Sequence, residues 1–289
     1  MKFAFVGYKV QEKYTTGVTS DEDNDLLIFL KEKQLDIAAV VWNDPDINWN
    51  IFDIVIIKSP WDYHENIVSF IQWLDLLEEL NIKVLNPVDI IKWNSNKHYL
   101  KKIGDKGLRV IPSEYIGKGS SFSDRFFEVF DTDRLVVKPC VSAGAKNTII
   151  VDENNFSEKI ITINLLLQEE DFLVQPYAEE ISNGEWSFIF FNGEYSHCVL
   201  KTPKQNDFRV QHYHGGSISY PAPSTSHIDE AKAYLNTIPG ETLYARVDGV
   251  IRQGNFELME LELIEPYLFL NGDRRLLENY YRALLAKSF

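Results

Sequence analysis

Apolar and polar positions along this chain follow two periods, and the changes between them mark its organisation. Over roughly the first 90 residues, apolar runs at Phe3–Gly7, Ile37–Trp42 and Asp53–Ile57 read as strands. They alternate with helical spacing at Asp23–Lys33 and Ile67–Leu80, and a short run, Lys83–Leu85, ends at Asn86-Pro87. That rhythm predicts a small parallel sheet with crossover helices. The middle of the chain predicts a helix at Ser95–Ile103, strands at Arg134–Lys138 and Asn147–Val151, a helix at Asn155–Leu166 and a strand at Phe172–Gln175. From there the pattern turns antiparallel: Glu185–Asn192, Gly193–Thr202, a polar segment to Gly216, a helix at Ser226–Asn236, and a hairpin within Tyr244–Pro266.

The hairpin is the most informative segment. Successive strand residues point to opposite faces, so Arg246 and Asp248 share one face of the first strand. On the second, Glu260 and Glu262 share a face while Met259, Leu261 and Leu263 fill the other. A three-residue turn Gln253-Gly254-Asn255 places Asp248 opposite Glu260 and Arg246 opposite Glu262. Clustered carboxylates repel unless a cation neutralises them, and hard oxygen ligands suit Mg²⁺. The competing reading is a solvated sheet face with one Arg–Glu pair.

Composition narrows the classes. With 289 residues, 45% of them hydrophobic, the chain buries a sizeable core over two or three lobes. A net charge of −14 repels phosphate backbones and argues against nucleic-acid binding. Two cysteines, Cys140 and Cys198, build neither a disulfide framework nor a Cys-based zinc site. The short run Met1–Gly7 reads as a strand and not a signal peptide, and no apolar run is long enough to span a bilayer, so a cytoplasmic location is expected.

Two loops carry candidate chemistry. After the apolar run Leu135-Val-Val-Lys138-Pro139 comes the small-residue loop Ser142-Ala143-Gly144-Ala145, whose backbone N–H groups are accessible to phosphate oxygens, with Lys138 adding a point charge. It joins two strands, so it is no Walker A loop, and G-x-G-x-x-G is absent; an ordinary hairpin turn is the alternative. The loop Lys58-Ser-Pro-Trp61-Asp62-Tyr63-His64 follows a strand of the parallel sheet, where ligands gather. There Lys58 is a candidate for a substrate carboxylate, Asp62 for an ammonium, and Trp61 and Tyr63 for pocket walls. Packing of Pro-Trp over the sheet edge with Asp62 capping a helix is the other reading. Arg274 and Arg275 are either carboxylate binders or solvated residues opening a helix. His212 and His214 lack a third ligand, and Cys140 lacks an obvious histidine partner.

The order of these features carries a resemblance. A lysine (Lys97, in Asn94-Ser-Asn-Lys-His) precedes Lys138-Pro139 and its glycine loop. Then come Gln175-Pro176-Tyr177, Glu185, Arg209, the pair Arg246 and Asp248, and Glu260-x-Glu262 with Pro266 four residues later. In this order the chain resembles the ATP-grasp superfamily, most closely its glutathione-synthetase-like type, over about residues 85–270. Small members resembling the D-cycloserine-forming ligase have a similar Pro-Trp-Asp-Tyr loop. The resemblance implies an α/β (α+β) ATP-grasp fold. A small N-terminal parallel lobe (1–94) is followed by two α+β lobes clamping ATP, a central one with the glycine loop (95–175) and a C-terminal one with the metal site (176–289).

It also implies roles. Lys97 and Lys138 would contact the α- and β-phosphates and the adenine side, and Ser142, Ala143, Gly144 and Ala145 would close over the phosphates. Gln175, Pro176 and Tyr177 would read the adenine edge, and Glu185 would hold the ribose. Asp248, Glu260 and Glu262 would bind two Mg²⁺, with Mn²⁺ able to substitute, while Arg209 and Arg246 would stabilise the transferring phosphoryl group. Glu262 stands where the family usually has Asn, which adds charge to the metal site. The implied reaction activates a carboxylate as an acyl phosphate for attack by an amine, releasing ADP and phosphate. The expected partners are a small-molecule carboxylate and amine, with neither nucleic acid nor membrane, and a second copy of the chain stays open. A peptide-modifying ligase and a catalytically inactive ATP-binding module are the alternatives.

Overall fold

The computed structural model describes residues 1–9, 22–204 and 216–289; Arg209, His212, His214 and Gly215 lie outside the described residues. Near the N-terminus, strand β1 (Lys2–Gly7) pairs in parallel with β2 (Asp36–Val41) and β3 (Ile54–Ser59). Strand β4 (Lys83–Leu85) joins β3, giving the order β2-β1-β3-β4. Helices α1 (Glu22–Glu32) and α2 (Ile67–Glu79) make the crossovers. Every residue of β3 is buried because both faces are covered. Ile54 and Ile56 pack with Leu26 and Phe29 on one side, while Val55 and Ile57 pack with Trp73 and Leu74 on the other.

Of the helix expected over Ser95–Ile103 only the second half is helical, as α4 (Tyr99–Gly104), and a separate helix, α3 (Val88–Asn94), precedes it. Between them Asn96 Oδ1 accepts from the His98 N–H at 3.1 Å, an Asx-type turn that competes with helix. Lys97 therefore lies in the gap, with its own N–H donating to the Cys140 carbonyl at 2.8 Å.

The central sheet is antiparallel: β5 (Glu114–Ile116), β6 (Arg134–Pro139), β7 (Ile149–Asp152) and β8 (Phe172–Pro176), in the order β5-β8-β6-β7. Leu135, Val137 and Val174 face helices α5 (Arg125–Phe130) and α6 (Phe156–Leu166). The alternate residues Val136 and Lys138 face the other way.

A five-stranded sheet follows: β9 (Glu185–Phe191), β10 (Glu194–Thr202), β11 (Ser217–Ser219), β12 (Tyr244–Arg252) and β13 (Asn255–Glu262), in the order β11-β10-β9-β12-β13. One face packs Phe188, Phe190, Val247 and Leu261 against α4 and against Ala231 and Tyr234 of α7 (Thr225–Leu235). The opposite face is divided. Its apolar part, Ile189, Phe191, Val199 and Tyr244, joins Phe3, Phe5 and Ile54 of the parallel sheet and Leu277 and Tyr280 of α8 (Arg274–Ser288) in one cluster. Its polar part carries the residues discussed below.

Side chains complete the edge of β13. Asn94 donates to the Leu261 carbonyl at 2.9 Å and accepts from the Leu263 N–H at 3.0 Å. Asn86, fully buried, donates to the Tyr244 and Leu263 carbonyls at 2.9 Å each. An edge strand otherwise exposes unpaired backbone groups, so these amides fix β13 against the preceding segments.

The hairpin keeps the expected pairs, Asp248 with Glu260 and Arg246 with Glu262, by a different route. Its turn is two residues, not three: Arg252 pairs with Asn255, and Gln253 and Gly254 have φ of 52° and 79°, as a type I′ turn requires. A bulge restores the register, because Gly249 pairs with Leu258 and Met259 is left over. Met259 consequently packs with Val250 and Tyr177 and not beside Leu261, correcting its expected placement. A Cβ at Gly249 would lie 2.2 Å from the Glu257 carbonyl oxygen, so only glycine fits the bulge. Gly249→Ala is expected to lower unfolding stability by about 1–3 kcal/mol, a typical cost of overpacking, in urea titrations; unchanged stability would contradict the bulge.

Candidate functional site

The polar half of the divided sheet face is built from cross-strand rows. Val199, Ser187, Asp248 and Glu260 lie in one row, Ile189, Arg246 and Glu262 in the next, and Lys201 opposite Glu185 beyond them. Directly opposed side chains sit close enough to interact. The Arg246 guanidinium chelates Asp248, with Nε at 3.0 and 3.1 Å from its two oxygens and an NH2 contact at 2.8 Å. The same NH2 also pairs with Glu262, and NH1 donates to the Tyr267 carbonyl at 3.0 Å. Lys201 lies 2.5 Å from Glu185 and 3.4 Å from Asp248.

Electrostatics follows from this geometry. Burial would raise the Asp248 pKa, but Arg246 and Lys201 hold it at about 2. Glu262 shares only part of the guanidinium, so burial, opposed by Arg246 and reinforced by Asp248 and Glu260, lifts it to about 7. Burial raises Glu185 against the pull of Lys201. Lys201 is raised because Asp248 and Glu185 outweigh its own burial.

The small-residue loop meets this face through Lys97. That lysine is 5% exposed, and its ammonium donates to the Ser142 carbonyl at 2.8 Å and hydroxyl at 3.1 Å, and pairs with Glu260 at 3.1 Å. Lys138 comes close enough to feel Glu260, Lys97 and Glu185, and burial lowers its pKa. Gly144 and Ala145 have φ of 60° and 59°, while Val141 and Ala143 rest on the core of the parallel lobe. Lys146 reaches to 3.9 Å from Glu65. At the far end of β8, Gln175 donates to the Ser113 hydroxyl at 2.9 Å, Pro176 pairs with Leu135, and the Tyr177 N–H donates to the Arg134 carbonyl at 2.9 Å.

Magnesium usually takes one or two carboxylates and leaves its remaining positions to water and phosphate oxygens. Among the described residues no group of three His, Cys, Asp or Glu forms a ready metal cage. Asp248, Glu260 and Glu262 are each held by a cation of the protein instead. Their oxygen chemistry and shared face suit a metal that arrives with phosphate ligands, and these three residues would hold it.

Residues 4–86 match the N-terminal domain of the D-cycloserine synthetase DcsG, and residues 104–235 match the ATP-grasp domain of prokaryotic glutathione synthetase. The chain has the ATP-grasp fold. Among its relatives, the cycloserine biosynthesis protein DcsG of Streptomyces lavendulae is 26% identical over 197 residues. That match covers 65% of each protein, so the chain spans just under two thirds of this relative's length. The crystal structure of D-cycloserine synthetase DcsG superposes with a TM-score of 0.82 at 22% identity, covering 99% of both chains. D-alanine–D-alanine ligase from Bacillus anthracis complexed with ATP superposes at 0.72 and 15% identity, covering 100% of this chain and 99% of that one.

The loop after β3 differs from its expected use. Lys58 is fully buried and pairs with Glu22 at 3.0 Å and Asp23 at 3.1 Å, so it is closed to a substrate carboxylate. Asp62 is buried and accepts from the Trp42 indole at 2.7 Å, and Tyr63 is buried against Phe70. Of the four residues assigned to the pocket, Trp61 alone is part-exposed; its indole donates to the Glu265 carbonyl at 3.1 Å. Arg274 and Arg275 are exposed at the start of α8, as helix-opening residues. Cys140 and His64 line one cavity, yet burial raises the thiol to about 12 and lowers the imidazole to about 4, so no thiolate–imidazolium pair forms.

Sequence reasoning missed Lys201. Alternation within Glu194–Thr202 puts Lys201 on the face of Val199, two positions along, which was the available signal.

Glu262 gives a pH signature. Its folded pKa near 7 lies above the ordinary glutamate range, so the stability it contributes is full below about pH 4.5 and lost as pH rises through 7. The metal-free protein should therefore be less stable at pH 8 than at pH 6 by about 1 kcal/mol from this group. Added Mg²⁺ should raise the melting temperature more at pH 8, and Glu262→Gln should flatten both effects in thermal melts. A wild-type protein whose metal response is equal at the two pH values would contradict the assignment.

Proposed function

We propose that the protein is an ATP-dependent carboxylate–amine ligase acting on a small, amino-acid-like substrate. The observation that carries this reading is Lys97, one ammonium bridging the small-residue loop at Ser142 and the acidic hairpin at Glu260. A nucleotide whose phosphates lay there would meet backbone N–H groups and cations on one side and carboxylates suited to Mg²⁺ on the other. The names of the relatives, a cycloserine synthetase and a D-alanine–D-alanine ligase, support small amino-acid-like substrates.

The residues then take these roles. Lys97, Lys138 and Ser142 to Ala145 position the phosphates, and Gln175 to Tyr177 border the adenine with Glu185 near the ribose. Asp248, Glu260 and Glu262 would hold Mg²⁺, two ions per nucleotide, whose charge would neutralise phosphate. Arg246 and Lys201 stabilise charge on the transferring phosphoryl group, and Arg209 is assigned the same task from the sequence. A substrate carboxylate oxygen attacks the γ-phosphorus, the bond to the ADP oxygen breaks, and an acyl phosphate forms. The amine nitrogen then attacks the carbonyl carbon, phosphate leaves, and the amine proton passes to solvent. Phosphoryl transfer needs positioning and charge neutralisation more than covalent help from the protein.

Lys138→Ala and Glu260→Gln should each reduce ADP formation at least ~100-fold with circular dichroism unchanged. Glu262→Asn should keep partial activity, because an amide oxygen still ligates Mg²⁺. Near-normal turnover in either of the first two variants refutes the site.

A further inference from the structure

We propose that Ser187 is a positioning residue whose hydroxyl holds Asp248 by a hydrogen bond when that carboxylate ligates a magnesium nucleotide. The inference rests on the ATP-binding part of the ligase reading and adds a residue to it. Ser187 belongs to β9, the strand between β10 and β12. Its register sets it directly opposite Asp248 on one side and Val199 on the other. Two and four positions along β9, Ile189 and Phe191 fill the same face with hydrocarbon. Ser187 is 0% exposed, and among the described residues its Oγ has no hydrogen-bond partner. A hydroxyl buried in this way has lost its bonds to water with no replacement, which is unfavourable.

The neighbours account for the orphan. Val199 offers no acceptor, and Lys201 and Arg246 can only donate. Glu185 is taken by Lys201 at 2.5 Å. That leaves Asp248, whose two oxygens are chelated by Arg246, with Lys201 at 3.4 Å from one of them. Burial would raise the Asp248 carboxyl, Arg246 and then Lys201 hold it low, and the nearby Ser187 hydroxyl adds least of these. The hydroxyl is therefore close to Asp248, yet its geometry falls short of a hydrogen bond while the guanidinium sets the orientation of the carboxylate.

Carboxylates that ligate metal are themselves held by hydrogen bonds from behind. Asp248 would lose part of its contact with Arg246 on giving an oxygen to Mg²⁺, and the opposed serine is the donor placed to replace it. Serine also suits the position by size. Lys201 has to cross β9 to come within 3.4 Å of Asp248, and a small side chain at 187 leaves that reach open. An alanine would serve the apolar packing and the lysine equally well, so the hydroxyl itself is explained only by the loaded site.

Ser187→Ala keeps the space and removes only the hydroxyl. Calorimetry on the full-length protein with the non-hydrolysable analogue AMPPNP, in Mg²⁺ and in EDTA, reads binding without turnover, and thermal melts in EDTA read the metal-free fold. The variant is expected to bind Mg-AMPPNP about 5- to 20-fold more weakly than wild type. In EDTA it should bind the analogue within about twofold of wild type and melt at no lower a temperature, because an orphaned group has been removed. Unchanged affinity for Mg-AMPPNP overturns the role of Ser187 and leaves the ligase reading intact. So does an equal loss of affinity in EDTA, which would put the hydroxyl on the nucleotide and not on Asp248. A lower melting temperature without metal also overturns it, because the hydroxyl would then already have a structural partner. Wild-type protein that binds no magnesium nucleotide removes the ATP reading and this inference with it.

Discussion

The guanidinium of Arg246 bridges Asp248 and Glu262 on the polar half of a sheet whose other surfaces are apolar. Three carboxylates together on a part-buried face are costly to desolvate without compensation. Here compensation comes from Arg246, from Lys201 beside Asp248, and from Lys97 beside Glu260. The pairs are unequal, so Asp248 stays ionised at any working pH while Glu262 titrates near neutrality. On the proposed reading, metal would take the carboxylates and the freed cations would turn to phosphate. Replacing the pairs by hydrocarbon could stabilise the fold, so their presence is better explained by chemistry than by folding.

The lobes support that face from both directions. The same β9–β12 surface that carries the charges runs on into the apolar cluster shared with the parallel sheet and α8. Sheet and site are therefore one structural unit, and the N-terminal lobe is packed against the face that would hold nucleotide. The buried Lys58–Glu22–Asp23 group performs a related task, tying β3 and the start of α1 to Pro266, Leu268 and Leu270. Breaking one partner of such a buried group is costly. This explains why a lysine at the carboxyl end of a parallel strand, where ligands usually gather, serves here as an anchor.

Much of this was legible in the residues themselves. Alternation within 244–262 was enough to place Arg246, Asp248, Glu260 and Glu262 on one face and in register. The turn assumed was one residue too long, and the bulge at Met259 made up the difference. Parallel and antiparallel regions followed from the change of period, whereas β5 and α5 are too short for a period to appear. Lys58 and Asp62 were misplaced because their partners, Glu22 and Trp42, are distant in sequence, and local pattern carries no information about them.

The measurement that tests the central claim most directly is calorimetric titration of ATP into the protein with and without Mg²⁺. If carboxylates and cations exchange partners around a metal nucleotide, ATP binds tightly with Mg²⁺ and at least about tenfold more weakly in EDTA, where Asp248, Glu260 and Glu262 repel the bare phosphates. Equal affinity in both conditions, or no binding in either, would contradict the account.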